Sequence, residues 1–388
     1  MKKLFSMILT LAVFITLVGC VKENEITLKI TKEDLSVVKY EISYKKDFDG
    51  TLIELIEEEV HLDYSTSDYG TMILEAETLV PKTGSYIALY YNGEMSNVGI
   101  DDIEFKDGDE IGFEIVWWDK PLEAINQFLS NHANHYTSNE LLDYNVIKAL
   151  DILGVLENYL TLEEVSAIYN ENTVYATTKD LFKAILIKDV VGLDYTDELT
   201  ELNTQASVGQ WGKTAFDLIG LNATVHDLDY SAFEAEALTS LKTTDSPFTA
   251  GLDAGGMNLV ALSDYIEDES VMSVVTEFKN WISTDQLDTG GILTRDNGWG
   301  QSENAASISS VIIGLISCGI DPAGTEFTKG TNTLVSRLLD FKTSTGSYKW
   351  LLGDDQTEDL AFSTPQAFLA IVMYQEYKET MEAVTPYK

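Results

Sequence analysis

The sequence predicts two domains of different fold class. A small α+β domain, with one helix packed on a mixed sheet, precedes an all-α domain of the α/α toroid type. Residues 26–118 contain short runs in which apolar and polar residues alternate, which is typical of strands. Residues 119–388 place apolar residues almost throughout at helical spacing. A length of 388 residues also favours two domains over one.

The elements of the first domain follow from alternation and turn signals. Gly50 precedes a segment, TLIELIEEEV, whose apolar residues have helical spacing. The turn dipeptides Asn92-Gly93 and Asp107-Gly108 separate later strand-like runs. Because one helix can cover only one face of a sheet, a single layer of each is the simplest arrangement. The strand-like runs are ITLKI, VKYEI, MILEAE, YIALYYNG and EIGFEIVWW.

Two kinds of helix alternate in the second domain. Strongly apolar segments, such as SISSVIIGLISCGI and TPQAFLAIVMYQEY, are separated by more amphipathic ones, such as SVVTEFKNWIS and TNTLVSRLLDFK. The amphipathic segments lead into glycine-containing loops, DTGGIL and TSTGSYKW. Uneven spacing between these units is unlike a strict solenoid. It favours helical hairpins that close into an α/α toroid with variable loops at one rim. An open helical array is the alternative.

The first twenty residues have the pattern of an export signal. Lys2 and Lys3 precede an uncharged apolar run, 4–18, which is too short to span a bilayer comfortably. The run ends in Leu-Val-Gly-Cys, which resembles the lipobox of bacterial lipoproteins. This resemblance implies that Cys20 is lipidated and anchors the mature chain to the outer face of the cell membrane. An ordinary secretory signal is the alternative.

The predicted boundaries follow from these patterns. We expect a signal peptide over residues 1–19, a short tether over 20–25, the α+β domain over 26–119 and the helical domain over 120–388.

Charge and cysteine content exclude several functions. Acidic residues number 64 and basic residues 25, a balance of −39, and loss of two lysines with the signal peptide lowers it to −41. Nucleic acid is therefore not an expected partner, because phosphate binding requires Lys and Arg. Cys318 is the only cysteine besides Cys20, so no disulfide within the mature chain is expected. Its apolar helical surroundings predict a buried core thiol.

No catalytic constellation is evident. His132 and His135 lie three residues apart, but no cysteine or third nearby histidine completes a zinc site, so a solvated helix end is expected. The chain has no Gly-x-Ser-x-Gly motif. The acidic run at 354–359 lacks the Asp-x-Asp-Asp pattern of terpenoid cyclases. We therefore predict no enzyme activity, no metal site and no required cofactor. Chance carboxylate pairs leave glycosidase chemistry open.

Two resemblances to known families extend this reading. Residues 49–118 resemble the transcobalamin-like C-terminal domain, through GTLIELI and through YYNGEMSNVGIDDIEFKDGDEIGFEIVWW. The C-terminal half resembles the prenyltransferase and terpenoid-cyclase toroid, which also forms the helical domain of the vitamin B12 carriers. Three segments carry this second resemblance: LDAGGMNLVAL, NAASISS and STPQA. The order of the two domains is reversed relative to the carriers, and the carriers' disulfides are absent.

The resemblance to the carriers implies that a cobalamin or related corrinoid binds between the two domains. Asp253 and Met257 match the carriers, and Gln366 matches a position that can hydrogen-bond ligand amides. We include the neighbouring Asn258 among the ligand-binding candidates.

Further candidates come from the residues themselves. The loop at 298–304 combines an indole ring with amides, so Trp299, Gln301 and Asn304 could hold a flat, amide-rich ligand. A structural loop, with Asn304 as a helix cap, is the alternative. Tyr91 and Trp118 lie near strand ends in the first domain and either contact a ligand or pack.

The function expected from the sequence is therefore ligand capture without catalysis. A surface lipoprotein would bind a small molecule, with a corrinoid as the leading ligand and a transporter or surface protein as a possible partner. One alternative is a surface module that binds a protein or a glycan. The other is a toroid enzyme that acts on an isoprenoid or a polysaccharide. Fold resemblance by itself does not choose among these.

Overall fold

The computed structural model divides the chain into two compact units, with the division between Asp119 and Lys120. It describes residues 23–32, 36–67, 70–138, 141–170, 172–210, 212–294 and 301–387. Each unit encloses its own cluster of buried apolar side chains. The first unit is rich in β-strands and the second is largely helical, which confirms the predicted order of the two fold types. The signal peptide and Cys20 lie outside the described residues.

The first unit is built on a mixed five-stranded sheet. Its strand order is β2-β1-β7-β5-β6, and only the β1–β7 pair is parallel. Strands β3 and β4 form a separate antiparallel ribbon. The strands are β1 (Asn24–Thr31), β2 (Val37–Tyr44), β3 (Leu62–Ser67), β4 (Gly70–Ala76), β5 (Ser85–Tyr91), β6 (Glu94–Met95) and β7 (Glu110–Trp117).

One short helix, α1 (Leu52–Glu57), completes the core of this unit. Thr51 begins it with a capping box: its hydroxyl accepts from the Glu54 amide, and the Glu54 carboxylate accepts from the Thr51 amide at 2.8 Å. The apolar residues of α1 pack in one buried cluster with alternate residues of β1. The residues with helical spacing and those that alternate along the strand therefore belong to the same core. The β5–β6 turn places Asn92 and Gly93 at positive φ, 54° and 84°, as a tight hairpin requires.

The second unit is largely helical. Its helices are α2 (Lys120–Asn131), α3 (Ala133–Tyr136), α4 (Tyr144–Ile152), α5 (Leu162–Ile168), α6 (Thr178–Val190), α7 (Thr196–Gln205), α8 (Lys213–Asn222), α9 (Ser231–Lys242), α10 (Pro247–Ala250), α11 (Leu252–Leu262), α12 (Glu269–Asp285), α13 (Ala305–Ser317), α14 (Leu334–Asp340) and α15 (Ser363–Thr380). Two-residue strands β8 (Thr137–Ser138) and β9 (Leu141–Leu142) pair between α3 and α4.

Six of these helices contact one another in a closed cyclic order. The order is α4, α6, α8, α11, α13 and α15, and α15 packs back against α4. These inner helices are mostly apolar around their circumference; in α13 every residue except Ser310 is buried. A helix that is apolar all round must lie inside a fold. The helices α2, α5, α7, α9, α12 and α14 alternate with them along the chain.

The backbones of α11 and α13 approach each other closely. A Cβ atom on Gly256 would overlap the carbonyl oxygen of Ser310, and one on Gly314 would lie 2.6 Å from the carbonyl oxygen of Gly256. Glycine at both positions therefore lets the two backbones touch. Cys318 follows α13 and packs against the core, and burial raises the pKa of its thiol to about 12. Within the described ranges, no helix has the length and apolarity that crossing a membrane requires.

Candidate functional site

The helical unit contains a cavity of about 360 Å³ to which every inner helix contributes, mostly from its first turns. Its volume lies in the range of sites that hold small ligands. The lining combines aromatic rings with a few polar groups. The lining residues are Tyr144, Asn145, Lys179, Gly212, Phe216, Asp253, Ala254, Met257, Ala306, Ser310, Ile313, Trp350, Phe362, Gln366 and Tyr387.

Side-chain caps fix where several inner helices begin, and thereby position the lining. Asp143 begins α4 and accepts from the Asn145 amide at 2.8 Å. Thr177 begins α6 within a capping box. Asn304 begins α13 and accepts from the Ser307 amide at 2.8 Å, and Asp359 accepts from the Ser363 amide at 2.9 Å at the start of α15. Each cap satisfies amides that a helix start leaves without partners.

Asp253 supplies a carboxyl group to the cavity. Its Oδ1 accepts a hydrogen bond from the Ser307 hydroxyl at 2.7 Å, and its backbone carbonyl accepts one from the Ser310 hydroxyl, also at 2.7 Å. The side chain is exposed to the cavity, and partial desolvation by the cavity wall raises the pKa of its carboxyl group, against the opposing effect of Ser307. Among the described residues no cation pairs with it.

Lys179 brings the opposite charge to the cavity wall. Its ammonium group lies 4.4 Å from the centroid of the Phe216 ring, a cation–π contact. Burial lowers the pKa of Lys179, and nearby Lys183 lowers it further. No carboxylate within the described part of the chain forms an ion pair with it. The cavity therefore has one acidic and one basic group, neither of which is neutralised by a partner there.

Gln366 and Met257 add uncharged groups. Gln366 lies in the first turn of α15 and is half-buried, and its side-chain amide forms no hydrogen bond with another described residue. It can therefore donate to and accept from a ligand at once. Met257 lies in α11, is half-buried and packs against the core. A thioether adapts to irregular apolar surfaces.

The C-terminus forms part of the cavity wall. Tyr387 is buried, its hydroxyl donates to Asn145 Oδ1 at 3.0 Å, and its ring lies 5.8 Å from that of Tyr144. Trp350 and Phe362 line the cavity from loops and remain exposed, 41% and 62%. Sequence reasoning missed these aromatic residues and Lys179. Only Tyr144 had a signal in the sequence, because it directly follows the helix cap Asp143.

The structure brings together three of the residues proposed from the sequence: Asp253, Met257 and Gln366 all line the cavity. It places others elsewhere. Asn258 is buried and donates to the Asp245 carbonyl at 2.6 Å, and Asn304 is the buried cap of α13. Both side-chain amide groups therefore form hydrogen bonds with the backbone. Gln301 lines a different groove.

The remaining candidates are accounted for as follows. Trp299 lies outside the described residues. Tyr91 and Trp118 belong to the β-rich unit. The Tyr91 hydroxyl donates to Asp109 Oδ2 at 2.6 Å, and this hydrogen bond raises the pKa of Tyr91. Trp118 is 69% exposed.

The histidine pair forms no metal centre within the described ranges, where no group of three or more His, Cys, Asp or Glu side chains could hold a metal ion. His132 Nε2 instead lies 3.1 Å from the Thr345 hydroxyl, and the ring packs near Phe128. Burial lowers the pKa of His132. His132 thus makes a partly buried contact just after the end of α2, whereas His135 lies in α3 and is exposed.

One comparison with known proteins matches part of the β-rich unit. A family model described as "Domain of unknown function (DUF4430)" matches residues 49–116. Among solved structures, a protein from Ruminococcus gnavus ATCC 29149, described as a "putative metal binding protein", is 21% identical. The alignment covers 24% of this chain and 100% of that one, and the TM-score of 0.21 is too low to support an argument. A search of curated proteins finds no match.

Proposed function

We propose that this protein captures a small molecule without catalysis, in the cavity of its helical unit. One observation carries the proposal: all six inner helices contribute to a single cavity of about 360 Å³. A cavity of this size with aromatic walls and a few polar groups has the character of a ligand site. The cyclic contacts of the inner helices support the finer proposal that the unit is an α/α toroid.

The composition of the cavity favours binding over chemistry. Its lining includes one carboxyl group, from Asp253, and one amine, from Lys179, and no histidine or cysteine among the described residues. General acid–base catalysis usually pairs two groups at matched distance from the reacting atoms. The free amide of Gln366 and the aromatic rings suit recognition of an amphipathic ligand instead.

A cobalamin or related corrinoid is the leading ligand, through the resemblance to the vitamin B12 carriers. A corrinoid is larger than this cavity. We therefore propose that one edge of the ring system enters, so that peripheral amide groups meet Gln366 and Asp253 while apolar parts rest on Trp350 and Phe362. The amides are neutral, which fits a lining in which most polar groups are uncharged.

We also propose a cellular location and a partner. The lipobox-like Leu-Val-Gly-Cys at 17–20 supports lipidation of Cys20 and attachment to the outer face of the cell membrane. A captured ligand would then be available to a transporter or another surface protein. The strongly acidic composition, −39, supports an exposed and well-solvated chain.

A titration of the protein with cobalamin tests the ligand. We expect a change in the cobalamin absorbance spectrum and, at saturating ligand, a rise in melting temperature of roughly 5 °C. Gln366→Ala should weaken binding about threefold to tenfold, as expected for one lost neutral hydrogen bond. Gln205→Ala, on the exposed surface of α7, is the matched control and should bind normally. Unchanged spectra and melting temperatures at saturation would rule out cobalamin.

A further inference from the structure

Strand β2 forms one edge of the five-stranded sheet in the β-rich unit. Among the strands of that sheet its only neighbour is β1. β2 has eight residues, Val37–Tyr44, and contains neither proline nor glycine. An edge strand of this length can present unpaired N–H and C=O groups to solvent and accept another strand.

The hydrogen bonds of β1 show which backbone groups of β2 point away from the sheet. Opposite residues of an antiparallel pair alternate between those that exchange hydrogen bonds and those that do not. The Lys32 amide donates to the Ser36 carbonyl at 2.8 Å, so the even-numbered residues of β2 bond to β1. Thr27, which lies opposite Glu41, instead donates its amide to the Asp109 carbonyl at 2.9 Å, on the β7 side. The N–H and C=O groups that point outward therefore belong to Val37, Lys39, Glu41 and Ser43.

These four outward residues are open to an incoming strand. Their side chains are exposed, and their outward N–H and C=O groups form no hydrogen bond within the part of the chain that the structure describes. Lys39 forms no ion pair with any described residue either. Directly opposite it on β1 is Lys29, whose ammonium group pairs with Glu110. A lysine on an edge normally discourages strand addition, so an incoming strand must bring a carboxylate to this position.

A second copy of β2, arranged antiparallel, brings that carboxylate. A two-fold axis beside Tyr40 places each Lys39 opposite Glu41 of the other copy, and each Val37 opposite Ser43 of the other copy. Only outward residues then face one another, so every outward N–H and C=O group finds a partner.

The side chains of both faces fit this arrangement. Glu41 accepts from the Thr27 hydroxyl at 2.9 Å and, as a carboxylate, can also accept from a lysine. On the opposite face of β2, Tyr40 lies opposite Tyr40 of the other copy, and Val38 lies opposite Ile42 of the other copy. Aromatic and β-branched pairs of this kind stabilise neighbouring strands.

Neighbouring registers lack this match. A shift by two residues sets Lys39 against Lys39, or Glu41 against Glu41, and like charges directly opposite each other are destabilising. A shift by one residue sets the outward groups of one copy against groups of the other that are already bonded to β1. Hydrogen bonding and charge therefore select the same register.

We propose that two copies of this chain associate through β2, antiparallel, so that their two sheets continue as one. The interface is self-complementary about a two-fold axis, as in most homodimers. One pair of eight-residue strands is a small interface, so the dimer forms reversibly, with a dissociation constant of roughly 10–100 µM. The association does not depend on the ligand proposed for the helical unit, because all residues that form it lie in the β-rich unit.

Sedimentation velocity over a range of protein concentrations tests the association. The sample is the chain from residue 20 with Cys20→Ser, which keeps all described residues and carries no lipid that could itself drive association. We expect monomer to convert to dimer as the concentration passes the dissociation constant. A chain that stays monomeric at about 1 mM overturns the proposal and leaves an extended segment of a different protein as the occupant of the edge.

Charge exchange locates the association on β2. Lys39→Glu and Glu41→Lys change the net charge in opposite directions, yet each sets like charges opposite each other twice, so each should weaken dimerisation at least about tenfold. The double variant K39E/E41K keeps the native net charge and restores both pairs of opposite charge. Its dissociation constant should return to within about threefold of the native value. Opposite effects of the two single variants, or no recovery in a folded double variant, would overturn the assignment.

Amide hydrogen exchange tests the register in the native sequence, without a substitution in the strand. The amides of the four outward residues should exchange at least about tenfold more slowly far above the dissociation constant than far below it. The amides of Tyr40 and Ile42 bond to β1 in monomer and dimer alike, so their exchange should change little. A dimer that leaves the outward amides unprotected would place the interface elsewhere and refute the proposal.

Discussion

Asp253 shows at the scale of one residue how the central cavity places a carboxyl group among apolar and aromatic side chains. The resemblance to the carriers marked it as a ligand contact, and the structure places it on the cavity wall. Its only side-chain partner among the described residues is the Ser307 hydroxyl. A carboxyl group that is partly desolvated by the cavity wall and lacks a cation partner is easier to protonate than an ordinary aspartate, so its pKa is raised.

This raised pKa predicts a pH-dependent stability difference for Asp253→Asn. Below the ordinary aspartate pKa, about 3.9, Asp253 is protonated in both the folded and the unfolded chain. As pH rises, the unfolded chain ionises first, so the folded state loses stability relative to it until the pH passes the raised pKa. Asparagine does not ionise, so the variant does not lose stability in this way as pH rises. We therefore expect the variant to be more stable than the native protein at pH 7 and equally stable near pH 3.5.

Thermal unfolding at the two pH values measures the difference. Asp354→Asn, at an exposed aspartate, is the control for the general relief of negative charge in so acidic a chain. A stability gain of the same size in both variants at pH 7, or a gain for Asp253→Asn that persists near pH 3.5, would contradict the interpretation.

Two other residues show what could not be read from the sequence. Asn258 and Asn304 carry the same amide group as a ligand-binding asparagine. In the folded chain Asn258 donates to the Asp245 carbonyl and Asn304 caps α13. The hydrogen-bond partner of an amide depends on which segments fold against it. The capping alternative for Asn304 was visible because it directly precedes an apolar helix.

At the scale of the elements, periodicity located most helices and strands, whereas packing decided their distances. The runs of apolar residues in α11 and α13 predict two buried helices. They do not show that Gly256 and Gly314 meet where these helices cross. Both glycines are visible in the sequence, but the need for glycine there arises from the backbone of the facing helix.

Gly256→Ala should therefore destabilise the helical unit strongly. The added Cβ would overlap the carbonyl oxygen of Ser310, and backbone cannot move aside as a flexible side chain can. We expect a loss of about 1–3 kcal/mol or more in the free energy of unfolding, as for other overpacked cores. Chemical denaturation followed by circular dichroism measures it.

Gly99→Ala is the matched control, because nothing lies within 4 Å of a Cβ atom at that position and its φ of −66° suits alanine. It should change stability by less than about 0.5 kcal/mol. Similar effects of the two substitutions would show that the α11–α13 crossing tolerates a methyl group.

At the scale of the whole molecule, the sequence combines a strong negative charge with a lipobox-like N-terminus. The charge balance of −39 favours a well-solvated surface, and the predicted lipid on Cys20 would keep the chain at a membrane. A single acyl chain binds membranes weakly, so stable attachment requires more than one chain.

Substitution of Cys20 tests this attachment. We expect the native protein to fractionate with membranes and Cys20→Ser to appear in the soluble fraction. Mass spectrometry of the N-terminal peptide should detect the lipid on Cys20. Cys318→Ser is the control, since Cys318 is the other cysteine of the chain and packs against the core. Release of both variants, or of neither, would contradict lipidation at Cys20.

The sequence by itself determined the two fold types and their order. Alternation with period two and helical spacing are local properties, because each depends only on which face of an element is buried. The resemblance also marked Asp253, Met257 and Gln366, which the structure brings together. Nothing in the sequence predicted that Lys179, Trp350 and Tyr387 would join them.

Only the tertiary structure decided the candidate site in the central cavity. The central cavity draws residues from six helices and from the C-terminus, which are far apart along the chain and meet because α15 packs back against α4. A site built from distant segments depends on long-range packing. Local residue patterns specify the elements but not the spaces that remain between them.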